Sequence, residues 1–162
     1  MNAAWSQVQN QYQRRADLVP NLVETVKGFA AQEQKVLTDV VEARSKVGQV
    51  KLSPGTPQDP EAFKQFESAQ NQLTGALSRL MVVVERYPDL KSNQNFLNLQ
   101  AQLEGTENRI AVARRDYIES VRQFNTTVRS FPTNLTASAF GMKTKANFTA
   151  EAAAQEAPKV KF

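Results

Sequence analysis

Residues 96–131, FLNLQAQLEGTENRIAVARRDYIESVRQFNTTVRSF, decide the fold, because Phe96, Leu103, Ile110, Tyr117, Phe124 and Phe131 recur at an unbroken spacing of seven. Side chains seven apart stand almost above one another on an α-helix, and six of them span about 50 Å at 1.5 Å per residue. No strand can use that period. Ser92 or Asn93 is placed to cap this helix and Pro132 to stop it. The companion positions Thr106, Ala113, Ser120 and Thr127 are small, and the second apolar contact drifts to Val121 and Val128. Such drift is expected when a 3.6-residue helix departs from a strict seven.

Working outward, Asp59-Pro60-Glu61 reads as a helix start, with Asp59 as N-cap and proline at the first helical position. The stripe that follows is Phe63, Phe66, Leu73, Leu77, Leu80, Val84 and Tyr87, with Gln70 its only polar member, and Tyr87-Pro88-Asp89 ends it. Upstream, Trp5, Val8, Tyr12, Val19, Leu22, Val26, Phe29, Val36, Val40 and Val47 keep three-four spacing, interrupted by Arg15 and Glu33. Pro20 lacks an amide donor and crowds the carbonyl of Ala16, which predicts a kink in one continuous helix up to Val47. The prolines and glycines between Gly48 and Pro60 mark the first reversal. The expectation is an all-α bundle of three long antiparallel helices, the first kinked near Pro20, over residues 1–131. A loosely docked tail, residues 132–162, packs on or trails the bundle, with one short helix expected around Ala150 to Gln155.

Apolar content of 41% with 22% charged residues supports one globular core rather than disorder. The chain has neither cysteine nor histidine, so thiolate and imidazole metal sites, cysteine nucleophiles and Ser-His-Asp arrangements are ruled out. Its longest aliphatic run, Leu80 to Val84, falls far short of a membrane span, and the chain as given is expected to be soluble. No phosphate-binding glycine loop, nucleophile elbow or nucleic-acid motif is present. No cofactor, small-molecule substrate or catalytic residue is predicted.

Three surfaces carry the remaining candidates. Pairing helix one from Pro20 with helix two leaves the residues before Pro20 overhanging, with Trp5, Val8 and Tyr12 on one face. That stripe is expected to pack against another copy or to form a stalk toward a membrane, unless Pro20 folds it back or the tail covers it. Arg115, Arg122 and Arg129, also seven apart, point away from the seam as a basic ridge that, with Arg114 and the tail's Lys143, Lys145, Lys159 and Lys161, suits anionic headgroups, less well nucleic acid, or simply solvent. Glu104, Glu107 and Asn108 lie on adjacent faces of helix three, where an oxygen-only cation site is the one metal chemistry available. Arg15 and Glu33 are expected to pair with neighbouring helices and fix register. The Asn-x-Thr triplets at Asn125, Asn134 and Asn147 are read as coincidence in an Asn- and Thr-rich chain.

The run Arg14-Arg15-Ala16-Asp17-Leu18-Val19-Pro20-Asn21-Leu22-Val23-Glu24-Thr25-Val26-Lys27-Gly28 resembles the signature of the bacterial LemA family. Tyr87-Pro88-Asp89-Leu90-Lys91, the block from Leu103-Glu104-Gly105-Thr106-Glu107-Asn108 to Arg114, and Phe131-Pro132-Thr133-Asn134-Leu135 are similar to it too. The resemblance implies a long-helix bundle tethered by one N-terminal transmembrane helix, extracytoplasmic, and without an established enzymatic activity. One branch of that family is associated with magnetosome membranes. The expected role is therefore a non-enzymatic envelope scaffold, held at the cell membrane by an anchor ahead of Met1 and binding copies of itself or envelope proteins. The alternative is a carboxylate-only metal-binding or enzymatic protein.

Overall fold

The computed structural model describes residues 2–50, 57 and 59–148. Six helices follow one another: α1 (Asn2–Lys27), α2 (Gln34–Gln49), α3 (Pro60–Val84), the single turn α4 (Pro88–Lys91), α5 (Gln94–Arg129) and α6 (Thr133–Ala139). There is no strand among the described residues. The expected short helix at 150–155 and the tail's Lys159 and Lys161 lie outside them.

The start signals act as their chemistry dictates. Asp59 accepts hydrogen bonds from the amides of Glu61 and Ala62 at 3.1 and 3.3 Å, and Pro60 opens α3 where its missing donor has no intrahelical partner to lose. Asn93 caps α5 by accepting from the Phe96 amide at 3.0 Å.

The first helix departs from expectation. It does pass through Pro20, but it ends at Lys27 and the chain reverses through residues 28–33, so the continuous helix to Val47 is corrected to a hairpin of α1 and α2. Gly28 weakens helix propensity locally, and Glu33 breaks the apolar stripe. The reversal buries Ala30, Leu37, Val40 and Ala43 against the other helices, which a straight rod extending beyond its partners would leave wet. With this extra turn the fold is an up-down-up-down bundle of α1, α2, α3 and α5 rather than three long helices. Its directions follow from neighbours: Ala16 meets Arg44, Trp5 meets Phe63, and Trp5, Arg15 and Thr25 lie beside Tyr117, Glu107 and Asn95. The backbone of α1 lies close along α5 and that of α2 along α3, whereas α3 and α5 stand further apart.

A second consequence is that α5 now descends toward the start of α1, so its surplus length lies at the same end as the α1 N-terminus. The α5 stripe accordingly buries Phe96, Leu103, Ile110 and Tyr117 and then emerges, with Phe124 half-buried and Phe131 exposed.

Pro20 explains one cross-helix bond. The carbonyl of Ala16 would normally accept from the amide of residue 20, which proline lacks. The Nε of Arg44 on α2 donates to that oxygen instead, at 2.9 Å. Arg44→Met is expected to destabilise the bundle by about 1–2 kcal/mol by orphaning this carbonyl. In a Pro20→Ala background, which restores the intrahelical donor, the loss should shrink to a few tenths; a urea-denaturation double-mutant cycle with no coupling would refute the account.

Candidate functional site

Burial divides the interior into two apolar halves. One, mainly aliphatic, gathers Val19, Leu22, Val26, Val40, Leu73, Leu80, Leu90 and Phe96. The other, mainly aromatic, gathers Trp5, Tyr12, Phe63, Phe66, Tyr117 and Phe148 around Val8, Ile110 and Val121. Between them lie the buried polar residues Arg15, Gln70 and Thr106, each flanked by one half on the N-terminal side and the other on the C-terminal side.

Arg15 is 1% exposed and ties its own helix, α1, to α3 and α5. Its Nη1 donates to Thr74 Oγ1 at 2.7 Å and to Glu107 Oε1 at 3.2 Å. Its Nη2 donates to the Gln70 carbonyl at 3.0 Å and to Gln70 Oε1 at 2.8 Å, and the guanidinium lies 5.1 Å from the centre of the Tyr12 ring. Only the planar fork of arginine reaches a carboxylate, a hydroxyl and a carboxamide from one stem. The Arg15 pairing expected from the stripe is therefore present, and its main partner is the polar interruption of the α3 stripe, Gln70. Glu33 does the corresponding work at the far end: its Oε1 accepts from Tyr87 OH at 2.9 Å and lies 3.6 Å from Arg86 Nη2, tying the α1–α2 turn to the end of α3. Burial, helped by the bond to Glu33, pushes the Tyr87 phenol above its ordinary range.

The groove where α3 and α5 stand apart encloses about 470 Å³ and is lined by Thr74, Ser78, Met81, Glu104, Glu107 and Asn108, among others. The candidate cation residues are thus side by side, but Glu107 is already bonded to Arg15. Among the described residues no group of three or more Asp and Glu is arranged to hold a metal ion.

The expected open stripe is corrected. Trp5, Val8 and Tyr12 are 4%, 1% and 3% exposed, because the α1–α2 reversal brings the first turns of α3 and the middle of α5 to their level. Trp5 meets Phe66 edge-on with centroids 5.3 Å apart, as Tyr12 does on its other side. A strap from the tail closes this box. Asn125 clasps the Lys145 backbone, accepting from its amide at 2.8 Å and donating to its carbonyl at 3.1 Å. Tyr117 OH donates to the Ala146 carbonyl at 2.9 Å, and Phe148 stacks edge-on against Phe63 while Arg114 lies 4.4 Å from its ring centre. Residues 145–148 are therefore fastened rather than loosely docked. Periodicity gave no sign of Phe148, since an isolated aromatic in a polar stretch carries no pattern. Two of the three Asn-x-Thr asparagines are committed inside the fold, Asn125 in the clasp and Asn147 to the Ile118 carbonyl.

Arg115, Arg122 and Arg129 are exposed along α5, as their register requires, and Arg122 is held by Glu119 at 2.6 Å. That bond keeps the Glu119 carboxyl below its usual range.

The interior thus defines an all-α four-helix bundle in which Arg15, the deeply buried charge among the described residues, is consumed in holding helices together. The chain belongs to the LemA family, matched over residues 4–162. It is 28% identical to magnetosome protein MamQ 2 of Paramagnetospirillum magneticum over 90% of this chain and 59% of that protein. It is 24% identical to protein LemA of Metamycoplasma hominis over 91% of this chain and 63% of that protein. The chain spans about three-fifths of the length of these relatives.

Arg15→Ala is expected to cost about 2–4 kcal/mol, from the orphaned Gln70 oxygen and the vacated volume, read from urea melts. The pair Arg15→Met with Gln70→Leu should cost much less; a loss below about 1 kcal/mol for Arg15→Ala would contradict the lock. Burial also raises the Tyr117 phenol far above the tyrosine range. Above about pH 10 the unfolded chain loses this proton while the folded one keeps it, so stability is steady from neutrality to about pH 9 and falls beyond. Tyr117→Phe should lessen that fall in urea melts taken across the alkaline range, leaving the part due to Tyr12 and Tyr87, whose phenols burial also raises.

Proposed function

We propose that this bundle is a non-enzymatic scaffold of the cell envelope, tethered to the membrane by a segment ahead of residue 1 and displayed on its extracytoplasmic side. Its outer helix faces bind further copies or envelope proteins. The observation that supports this reading most is the use made of the interior: the buried arginine, glutamine and threonine fasten helices to one another, and the aromatic box is closed by the chain's own strap. A structure organised in this way presents shape and surface to partners. Membership of the LemA family and the likeness to a protein named for the magnetosome agree with it.

A photo-reactive residue at Val41, Val82 or Val112, which are exposed apolar positions on three different helices, tests the reading in cells carrying the full-length protein. The expected result is membrane fractionation together with a discrete crosslinked species, either a homo-oligomer or one envelope protein. Full-length protein recovered in the soluble fraction, with no crosslinks from any position, would overturn it.

A second reading, cation binding by Glu104 with Glu107, is favoured by their shared place in the α3–α5 groove. It predicts bound metal on elemental analysis and a rise in melting temperature with Mn²⁺, Mg²⁺ or Ca²⁺ that Glu104→Gln abolishes. Neither being seen would remove it.

A further inference from the structure

The apolar surface of this protein is unevenly exposed. Val41, Val82 and Val112 are scattered singly over the long helices, which is ordinary for a folded chain. At one end of the bundle the situation differs: Phe131, Leu135, Phe140 and Met142 are 79%, 63%, 75% and 52% exposed within twelve residues. They belong to a single loop, closed at its base. The chain leaves α5 at Ser130, turns at Pro132 into α6, reverses at Gly141, whose φ of 69° suits glycine, and is clasped again where Asn125 holds Lys145. Ala137 is the buried anchor of α6. The large apolar side chains point outward from that anchor, the reverse of what an ordinary surface helix does with them.

Charge singles out the same end. From Ser120 to Phe148 the chain carries Arg122, Arg129, Lys143 and Lys145 and not one Asp or Glu. The opening stretch of α1, Asn2 to Ala16, contributes no carboxylate either. Glu119 offsets part of Arg122, while Arg129 and Lys143 are exposed.

Position adds a third observation. Trp5 lies against Tyr117, so the part of α5 after about Val121 runs past the start of α1, and the chain comes back to that level only with the strap that carries Phe148. Arg129 stands about 12 Å beyond Val121 along the α5 axis at 1.5 Å per residue. Among the described residues the loop is consequently the outermost feature at the end from which α1 begins.

We propose that the α6 loop is a membrane-docking tip, which inserts Phe131, Leu135, Phe140 and Met142 into the headgroup and upper acyl region of an anionic bilayer while Arg129, Lys143, Lys145 and Arg122 meet lipid phosphates. An apolar projection flanked by Arg129 and Lys143, with no carboxylate in the projecting loop itself and the nearest ones at Glu119 and at the start of α3, is an arrangement that interfacial binding rewards. A second copy fits less well. The projecting element is a seven-residue helix, about 10 Å long, and a convex tip of that size cannot supply the roughly 800 Å² per partner of a stable protein interface. A fluid bilayer needs no complementary pocket. This loop would dock whether or not an anchor precedes residue 1, and the two are separable because the test uses the purified 162-residue chain.

Flotation with vesicles of phosphatidylcholine containing about 30% phosphatidylglycerol is expected to carry the protein upward, with little binding to phosphatidylcholine alone and marked loss in about 0.5 M salt. Phe131→Ser with Phe140→Ser, and separately Arg129→Glu with Lys143→Glu, should each weaken binding about ten-fold or more. All four positions are exposed, so thermal melts should match the parent. Phe140→Trp in a Trp5→Phe background reads insertion directly, by a blue shift of emission on adding anionic vesicles. Absence of vesicle binding, binding indifferent to both double variants, or emission from that introduced indole that does not move would each overturn the proposal. So would sedimentation showing a dimer that Phe131→Ser with Phe140→Ser dissolves.

Discussion

The structure depends on satisfying one buried guanidinium. Arg15 sits where no water reaches it, and leaving such a group unpaired costs far more than any single apolar contact returns. Only one rotation and one axial register of α1, α3 and α5 bring Thr74, Gln70 and Glu107 to its fork together. Apolar stripes tolerate sliding by a turn, because one heptad layer resembles the next. The polar layer removes that freedom, and it also separates an aliphatic half of the core from an aromatic half.

The two halves are stabilised differently. The aliphatic half is closed by helices on every side, with α4 and the Glu33–Tyr87 contact sealing its end. The aromatic half has α1, α3 and α5 at its level, and beyond the end of α2 Val50 and the strap's Phe148 pack against it. Large rings suit this end, since a few of them cover much area and pack edge to face at centroid distances of about 5–6 Å. The strap is held through its backbone by Asn125 and Tyr117, and through its own Asn147 side chain, which donates to the Ile118 carbonyl, so its path is fixed by polar groups.

Much of this was legible beforehand. The α5 heptads from Phe96 to Tyr117, the Asp59 and Asn93 caps, the stop before Pro132 and the pairing of Arg15 and Glu33 are all local or periodic signals that act in the fold as read, whereas the last two heptad positions, Phe124 and Phe131, emerge from the core. The break after Lys27 was not legible, because Gly28 alone does not end a helix and the apolar spacing continues across it. The reversal is preferred only when the other helices are there to receive α2. The fate of Trp5, Val8 and Tyr12 followed from that one turn, since a three-helix layout strands them and a four-helix layout encloses them.

The sequence by itself thus determined α3 and α5 with their caps and most of their buried faces, the family and the residues that interrupt the stripes, because periodicity, capping and propensity act within a few turns of chain. Only the tertiary structure decided that Arg15 meets Gln70 rather than an acid alone, that the overhang is core, and that the surplus of α5 and the apolar α6 loop share an end with the start of α1. Those outcomes rest on how many times the chain reverses and on which groups then lie within hydrogen-bonding distance. No local pattern of residues encodes either.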